Sequence, residues 1–148
     1  MTKKEKLPFD RTLHVHDHCL CMQLQRAARV TARLFDDAFR PLGLTNGQFS
    51  ILMALNQPEA PTIGRVADIL AMDRTTLTAN LKPLERRGLV AVTVDKSDKR
   101  SRRLSLTEAG DALLAEAYPI WQTTLEEVER RLGSKNTDML RQKLVALS

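Results

Sequence analysis

Aromatic residues are scarce in this chain. One Trp, one Tyr and four Phe make up 4% of its 148 residues, so a core must come mostly from Leu, Val, Ile and Ala, as in many helical proteins. No apolar run approaches the roughly 18 residues that suggest a membrane span, so no transmembrane helix is expected. The opening MTKKEKLPFDRTLHVHDH carries basic residues without an apolar segment behind them, unlike a secretory signal. Cysteine occurs only as Cys19 and Cys21, too close together to close a useful disulfide loop, and a reducing cytoplasm is the expected compartment. Histidine is confined to His14, His16 and His18. There is no glycine-rich phosphate loop, no nucleophile–base pair and no complete metal-ligand set. Catalysis is left without machinery, and no cofactor is expected.

Positive charge, by contrast, is plentiful and unevenly placed. Between Thr62 and Thr107 stand ten Lys and Arg against five Asp and Glu, which accounts for the whole net charge of +5. The rest of the chain has thirteen of each sign and is neutral. Such a one-sided surplus is the electrostatic footprint of nucleic-acid binding.

The hydrophobic pattern predicts helices around this basic segment. From Asp17, read as an N-cap, Leu20, Leu24, Ala27, Ala28, Thr31, Leu34, Phe35 and Ala38 recur at helical spacing until Pro41 and Gly43 end the helix. Residues 1–16 have no clear period and read as a tail. Thr45 and Gln48 offer a capping box before Phe49, Leu52, Met53 and Leu55. Thr62 caps a helix with the stripe Ile63, Val66, Ala67 and Leu70. Asp73 caps the next, with Leu77, Leu81 and Leu84 inward, a bend at Pro83 and a stop at Gly88. Two short amphipathic helices joined by a tight turn have helix-turn-helix dimensions. LVAVTV and RRLSL then alternate as the strands of a hairpin, with DKSDKRS at its tip. Thr107 starts a long helix to about Leu132, with a kink expected at Pro119. A last helix carries Met139, Leu140, Leu144 and Leu147. The expected fold is mainly α with a small β-hairpin wing, in one domain spanning 1–148. Its winged-helix part covers about 45–107, and dimerisation helices cover about 17–41 and 108–147.

Two features carry the chemistry. The second short helix exposes Arg74, Thr75, Thr76, Thr78, Asn80 and Lys82 between its leucines; hydroxyls and an amide suit base edges and phosphates. Alone, such a face could be merely solvated. Beside it, the hairpin tip sets five basic residues, Lys96, Lys99, Arg100, Arg102 and Arg103, against one acid, Asp98, more than solubility requires. An arginine at a thin hairpin tip can enter the narrow minor groove, where the negative potential is strongest. Asp98 is placed to hold the Arg100 guanidinium.

Together, LTNGQFSILMAL, VADILAMDRTTLTANLKPLERRGLV and DKRSRRLSLTEAG resemble the MarR family of bacterial winged-helix transcription regulators, from about Cys19 to Leu147. The resemblance implies a homodimer whose N- and C-terminal helices interlock. It implies recognition helices in successive major grooves of double-stranded DNA, with Arg100 as the wing arginine. It further implies repression relieved by a small phenolic ligand or an oxidant. In peroxide-sensing members a reactive cysteine stands near the start of the first helix, where Cys21 lies here, with Cys19 as the nearest resolving thiol. The assisting tyrosines of those members are replaced here by Gln25 and Phe35. A cysteine packed at a dimer interface is the alternative role. The histidines and cysteines of HVHDHCLC could also ligate metal, but the spacing falls one residue short of a metallo-hydrolase motif and no later histidine completes it. The resulting expectation is a DNA-binding regulator, a repressor acting on a pseudo-palindromic operator. A winged helix used only for binding protein is the alternative.

Overall fold

Each strong helical period in the sequence becomes a helix in the computed structural model, which describes residues 5–148. Helix α1 (Phe9–His18) and helix α2 (Leu20–Phe39) lead through a 3-10 turn (Arg40–Leu42) to α3 (Asn46–Leu55), α4 (Ile63–Leu70) and α5 (Arg74–Arg86). A hairpin of β1 (Val90–Val94) and β2 (Arg102–Leu106) follows, then α6 (Glu108–Leu132) and α7 (Ser134–Leu147). The fold is a mainly helical winged helix-turn-helix. None of the described helices is long and apolar enough to cross a membrane.

The N-terminus corrects the expectation of a tail. Residues 9–18 are helical, while residues 1–4 lie outside the described part. Asp17 is not a cap; α2 begins after Cys19, whose extended backbone (φ −76°, ψ 100°) breaks the chain into two helices without a side-chain cap. The period was hard to see because α1 buries none of its residues in the single chain.

Elsewhere the caps are those the sequence spells. Thr45 and Gln48 close a reciprocal capping box on α3, and Thr62, Asp73 and Thr107 cap α4, α5 and α6. Pro83 and Pro119 both lie inside unbroken helical spans. Between α4 and α5 the chain turns at Ala71, which adopts a left-handed φ of 49° and donates its N–H to the end of α4. That sharp reversal sets the two helices as a helix-turn-helix.

The core gathers where α2, α3, α5, α6 and the hairpin meet. Phe39 is fully buried and stacks on Phe49 with ring centroids 4.7 Å apart. Ile51, Leu52, Leu77, Leu84 and Leu104 are likewise sealed from water. The strands pair antiparallel in the register Val90↔Leu106, Val92↔Leu104 and Val94↔Arg102, so the period-2 pattern sends Val90 and Leu104 inward. The outer edge of β2 is partly covered, because Leu104 N–H donates to the Pro61 carbonyl at 2.9 Å and Thr62 bridges to Arg103.

The hairpin is also locked to α6. Thr107 N–H donates to Leu89 O (3.0 Å), and its hydroxyl donates to Gly88 O (2.6 Å) while accepting from Gly110 N–H (3.1 Å). The wing therefore moves with the long helix.

Candidate nucleic-acid interface

On α5, the period of 3.6 residues sorts the sequence-predicted side chains into two groups. Leu77, Leu81 and Leu84 face the core. Thr75, Thr78 and Lys82 lie on the outer side and, with Arg74 and Ala79, line a shallow concavity of about 360 Å³. Thr76 and Asn80 turn to the other flank. The Thr76 hydroxyl donates to Asp73 Oδ2 (2.8 Å), and Asn80 Nδ2 donates to the Thr76 carbonyl (3.0 Å). Thr76 thus belongs to the helix cap in this structure. Ala79 escaped the sequence reading because it has no polar group; helical spacing from Thr75 and Lys82 would have found it.

Asp73 is the acid nearest this face. Its carboxylate takes both the Thr76 N–H and the Thr76 hydroxyl, which together hold its pKa below the ordinary value. Its negative charge is therefore aimed at the first-turn amides.

The wing tip presents Lys96, Lys99 and Arg100, all exposed. The Arg100 guanidinium has no hydrogen-bond or ion-pair partner among the described residues. Asp98 does not hold it, contrary to the sequence expectation. Its Oδ1 accepts the Arg100 backbone N–H (3.0 Å), and its carbonyl accepts from Ser101 N–H (2.9 Å), so it shapes the turn. Short side chains such as Asp satisfy nearby amides more easily than they reach a flexible guanidinium. Arg102 is also redirected, since its Nη1 donates to the Lys99 carbonyl at 3.1 Å and braces the tip.

At the base of the wing a second acid does the structural work. Asp95 is buried, accepts from Ser97 N–H (3.0 Å) and pairs with Arg103 (3.2 Å), and these contacts hold its pKa below the usual carboxylate value. Arg103 also donates to the Ala60 carbonyl at 2.6 Å. Arg87, at the end of α5, donates to Gly43 O (2.7 Å) and Leu42 O (3.1 Å), joining α5 to the turn after α2. Sequence reading counted Arg87 and Arg103 among the surface charges. Their carbonyl partners lie 43 to 45 residues away, and no local signal gives them. Arg65 on α4 and Arg86 on α5 are exposed beside the same face, and neither was singled out.

The N-terminal cluster is arranged differently. Cys21 is exposed in the first turn of α2 and accepts a 3.4 Å hydrogen bond from Gln25 Nε2. Cys19 is half-buried at the break. Phe35 lies 6.1 Å from Phe39, on the edge of the core. His14 and His18 stack at 4.3 Å, and His16 pairs with Asp17 at 2.9 Å. Among the described residues no three His, Cys, Asp or Glu side chains converge as a metal site.

Comparison with known proteins gives this arrangement its relatives. Residues 44–101 match the MarR family model. An organic hydroperoxide resistance transcriptional regulator of Bacillus subtilis (strain 168) is 32% identical over 106 residues, 72% of each chain. The M. tuberculosis transcriptional regulator MosR, solved in complex with DNA, is 37% identical with a TM-score of 0.80, over 88% of this chain and 93% of that one. The transcriptional repressor CouR, bound to a 23-mer DNA duplex, is 30% identical with a TM-score of 0.82, over 97% of this chain and 99% of that one. The chain belongs to the MarR family of winged-helix, DNA-binding transcription regulators and is not an enzyme.

Proposed function

We propose that this protein is a homodimeric repressor of a pseudo-palindromic operator, with α5 in the major groove and the wing tip in the adjoining minor groove. The observation that carries this reading is a pair of exposed surfaces, one polar on α5 and one cationic at the wing. Thr75, Thr78 and Lys82 stand on the outer side of α5, and exposed Lys96, Lys99 and Arg100 stand at the wing, while Asp73 and Asp98 are bound to backbone amides. Hydroxyl side chains on the helix suit base edges, and the tip cations suit phosphates and a narrow groove. The DNA complexes of MosR and CouR support DNA as the partner, and CouR, a transcriptional repressor, supports repression.

Dimerisation is supported by an apolar groove of about 640 Å³ between α2, α6 and α7, lined by Leu24, Ala28, Leu34, Val128, Leu140 and Leu144. Leu20 and Leu147 are exposed beyond it, a larger apolar surface than monomers usually tolerate. Helix α1 points to the same conclusion. It has 10 residues and buries none of them, and so short a helix is marginal in water unless another surface covers it. A second copy of the chain supplies that cover, and a small effector entering between the helices would shift the reading heads and release DNA.

The test is selection of bound duplexes from a random pool by the full-length protein. A twofold dimer should enrich an inverted repeat with half-sites about 10 bp apart or a multiple of that. Failure to enrich any inverted repeat would overturn the reading.

A further inference from the structure

Gly64, the second residue of α4, leaves open the space that Arg74 occupies. A Cβ built on Gly64 would lie 2.7 Å from Arg74 Nη2, 3.4 Å from its Cζ and 3.8 Å from its Nε. The first of these is well inside van der Waals contact. The guanidinium of Arg74, the first residue of α5, thus reaches back across the turn onto the first turn of α4. Arg74 also borders the concavity that Thr75, Thr78 and Lys82 line on the outer side of α5, so its guanidinium lies between that face and α4. In helix-turn-helix docking the first helix of the motif crosses the DNA backbone while the second enters the groove. An arginine lying on that first helix meets phosphate.

We propose that Arg74 is a phosphate contact and that Gly64 is its positioning residue, an inference that rests on the DNA-binding reading above. Any side chain at position 64 displaces the guanidinium from α4. The obstructed atoms are the end of a flexible side chain, so the helix itself stays in place. Alanine also has the higher helix propensity, so Gly64→Ala folds at least as well as the native chain. Arg74 then loses the space in which its guanidinium lies against α4 and must reach phosphate by another path, which lowers affinity without touching any base contact.

The experiment measures binding of full-length Gly64→Ala, Arg74→Ala and the double variant to the selected operator and to random duplex across a salt series. Gly64→Ala and Arg74→Ala should each weaken both DNAs alike, by on the order of tenfold, with Arg74→Ala the larger. Arg74→Ala should also flatten the log–log salt slope by about 0.9 for each phosphate lost. The double variant should bind no more weakly than Arg74→Ala alone. A melting temperature of Gly64→Ala at or above that of the native protein separates this loss from unfolding. Native affinity in Gly64→Ala, additive losses in the double variant, or an effect confined to the operator would each overturn the proposal. If the native protein itself binds no DNA, the functional reading fails instead.

Discussion

Gly110→Ala should destabilise the protein although it places alanine, the best helix former, inside a helix. The added Cβ would stand 2.1 Å from the Leu89 carbonyl oxygen, 3.1 Å from its carbon and 3.4 Å from Leu106 Cδ2. The first atom is backbone, so no rotamer change relieves the clash. Either α6 or the start of β1 must withdraw by about 1 Å to restore ordinary contact. Both are pinned, because Thr107 bonds Leu89 O, Gly88 O and Gly110 N–H within the same few residues. Overpacking of this kind costs about 1–3 kcal/mol. Straining one of the Thr107 bonds adds about 1 kcal/mol. The helix-propensity gain offsets at most about 1 kcal/mol. The balance is about 1–3 kcal/mol, and at about 2–4 °C per kcal/mol for a chain of this size the melting temperature should fall by roughly 2–12 °C. Calorimetry at one fixed protein concentration is the assay, since a dimer's stability depends on concentration. Gly47→Ala is the control. Its Cβ would meet only Thr45 Oγ1 at 3.9 Å, so it should be neutral or stabilising. A Gly110→Ala protein that melts with or above the native one would refute the reasoning.

Arg87→Met should weaken operator binding while leaving the salt slope unchanged, because the guanidinium is committed to Gly43 O and Leu42 O; a slope flattened by about 1 would make Arg87 a phosphate contact instead. Asp95 has its pKa lowered by Ser97 N–H and Arg103, so its contribution is complete above about pH 4 and is lost as pH falls through the folded value. The gap in melting temperature between native protein and Asp95→Asn should therefore be constant from about pH 5 to 8 and close in acid; a gap that widens in acid would contradict this assignment. Truncation after Gly133 removes Leu140 and Leu144 from the apolar groove, and should abolish dimerisation and DNA binding together; a truncated dimer in sedimentation would place the interface elsewhere. Cys21→Ser should bind DNA as the native protein does, and peroxide should have little effect on either, since Gln25 is the side chain bonded to the thiol and Phe35 carries no hydroxyl. Rapid, reversible and Cys21-dependent loss of binding at low peroxide would reverse that expectation.

The helix-turn-helix and the wing were legible because their signals are local. Thr45, Thr62, Asp73 and Thr107 each sit three residues before the amide they cap, and the strand alternation needs only five residues on each side. Helix α1 was missed because its apolar residues, Phe9, Leu13 and Val15, meet no surface within one chain, and Asp17 looks like a cap while it pairs with His16. The role of Asp98 was misjudged by a choice between two neighbours, a backbone amide and a side chain, that spacing alone does not decide. Arg87, Arg103 and Gly110 take their meaning from residues that only the folded chain brings near.

These misreadings bear on how the basic segment divides its labour. Sequence counting treats its ten cations as one field, yet Arg87 and Arg103 are bound to carbonyls of distant turns and Arg102 to the Lys99 carbonyl. Arg65, Arg74, Lys82, Arg86, Lys96, Lys99 and Arg100 are all exposed and lack such bonds among the described residues. Three of these seven stand on the wing and three on α5, where Arg74, Lys82 and Arg86 are interleaved with Thr75, Thr78 and Ala79. Counterion release scales with the phosphates neutralised, so the salt-dependent affinity should be shared between the wing and the cations of α4 and α5. Base discrimination should reside in α5, where Thr75 and Thr78 carry no charge to attract non-specific phosphate. The Thr107 lock then gains a functional reason. It fixes the wing to α6, while Arg87 fixes α5 to the turn after α2, so a shift between those two long helices changes the distance between the two contacts.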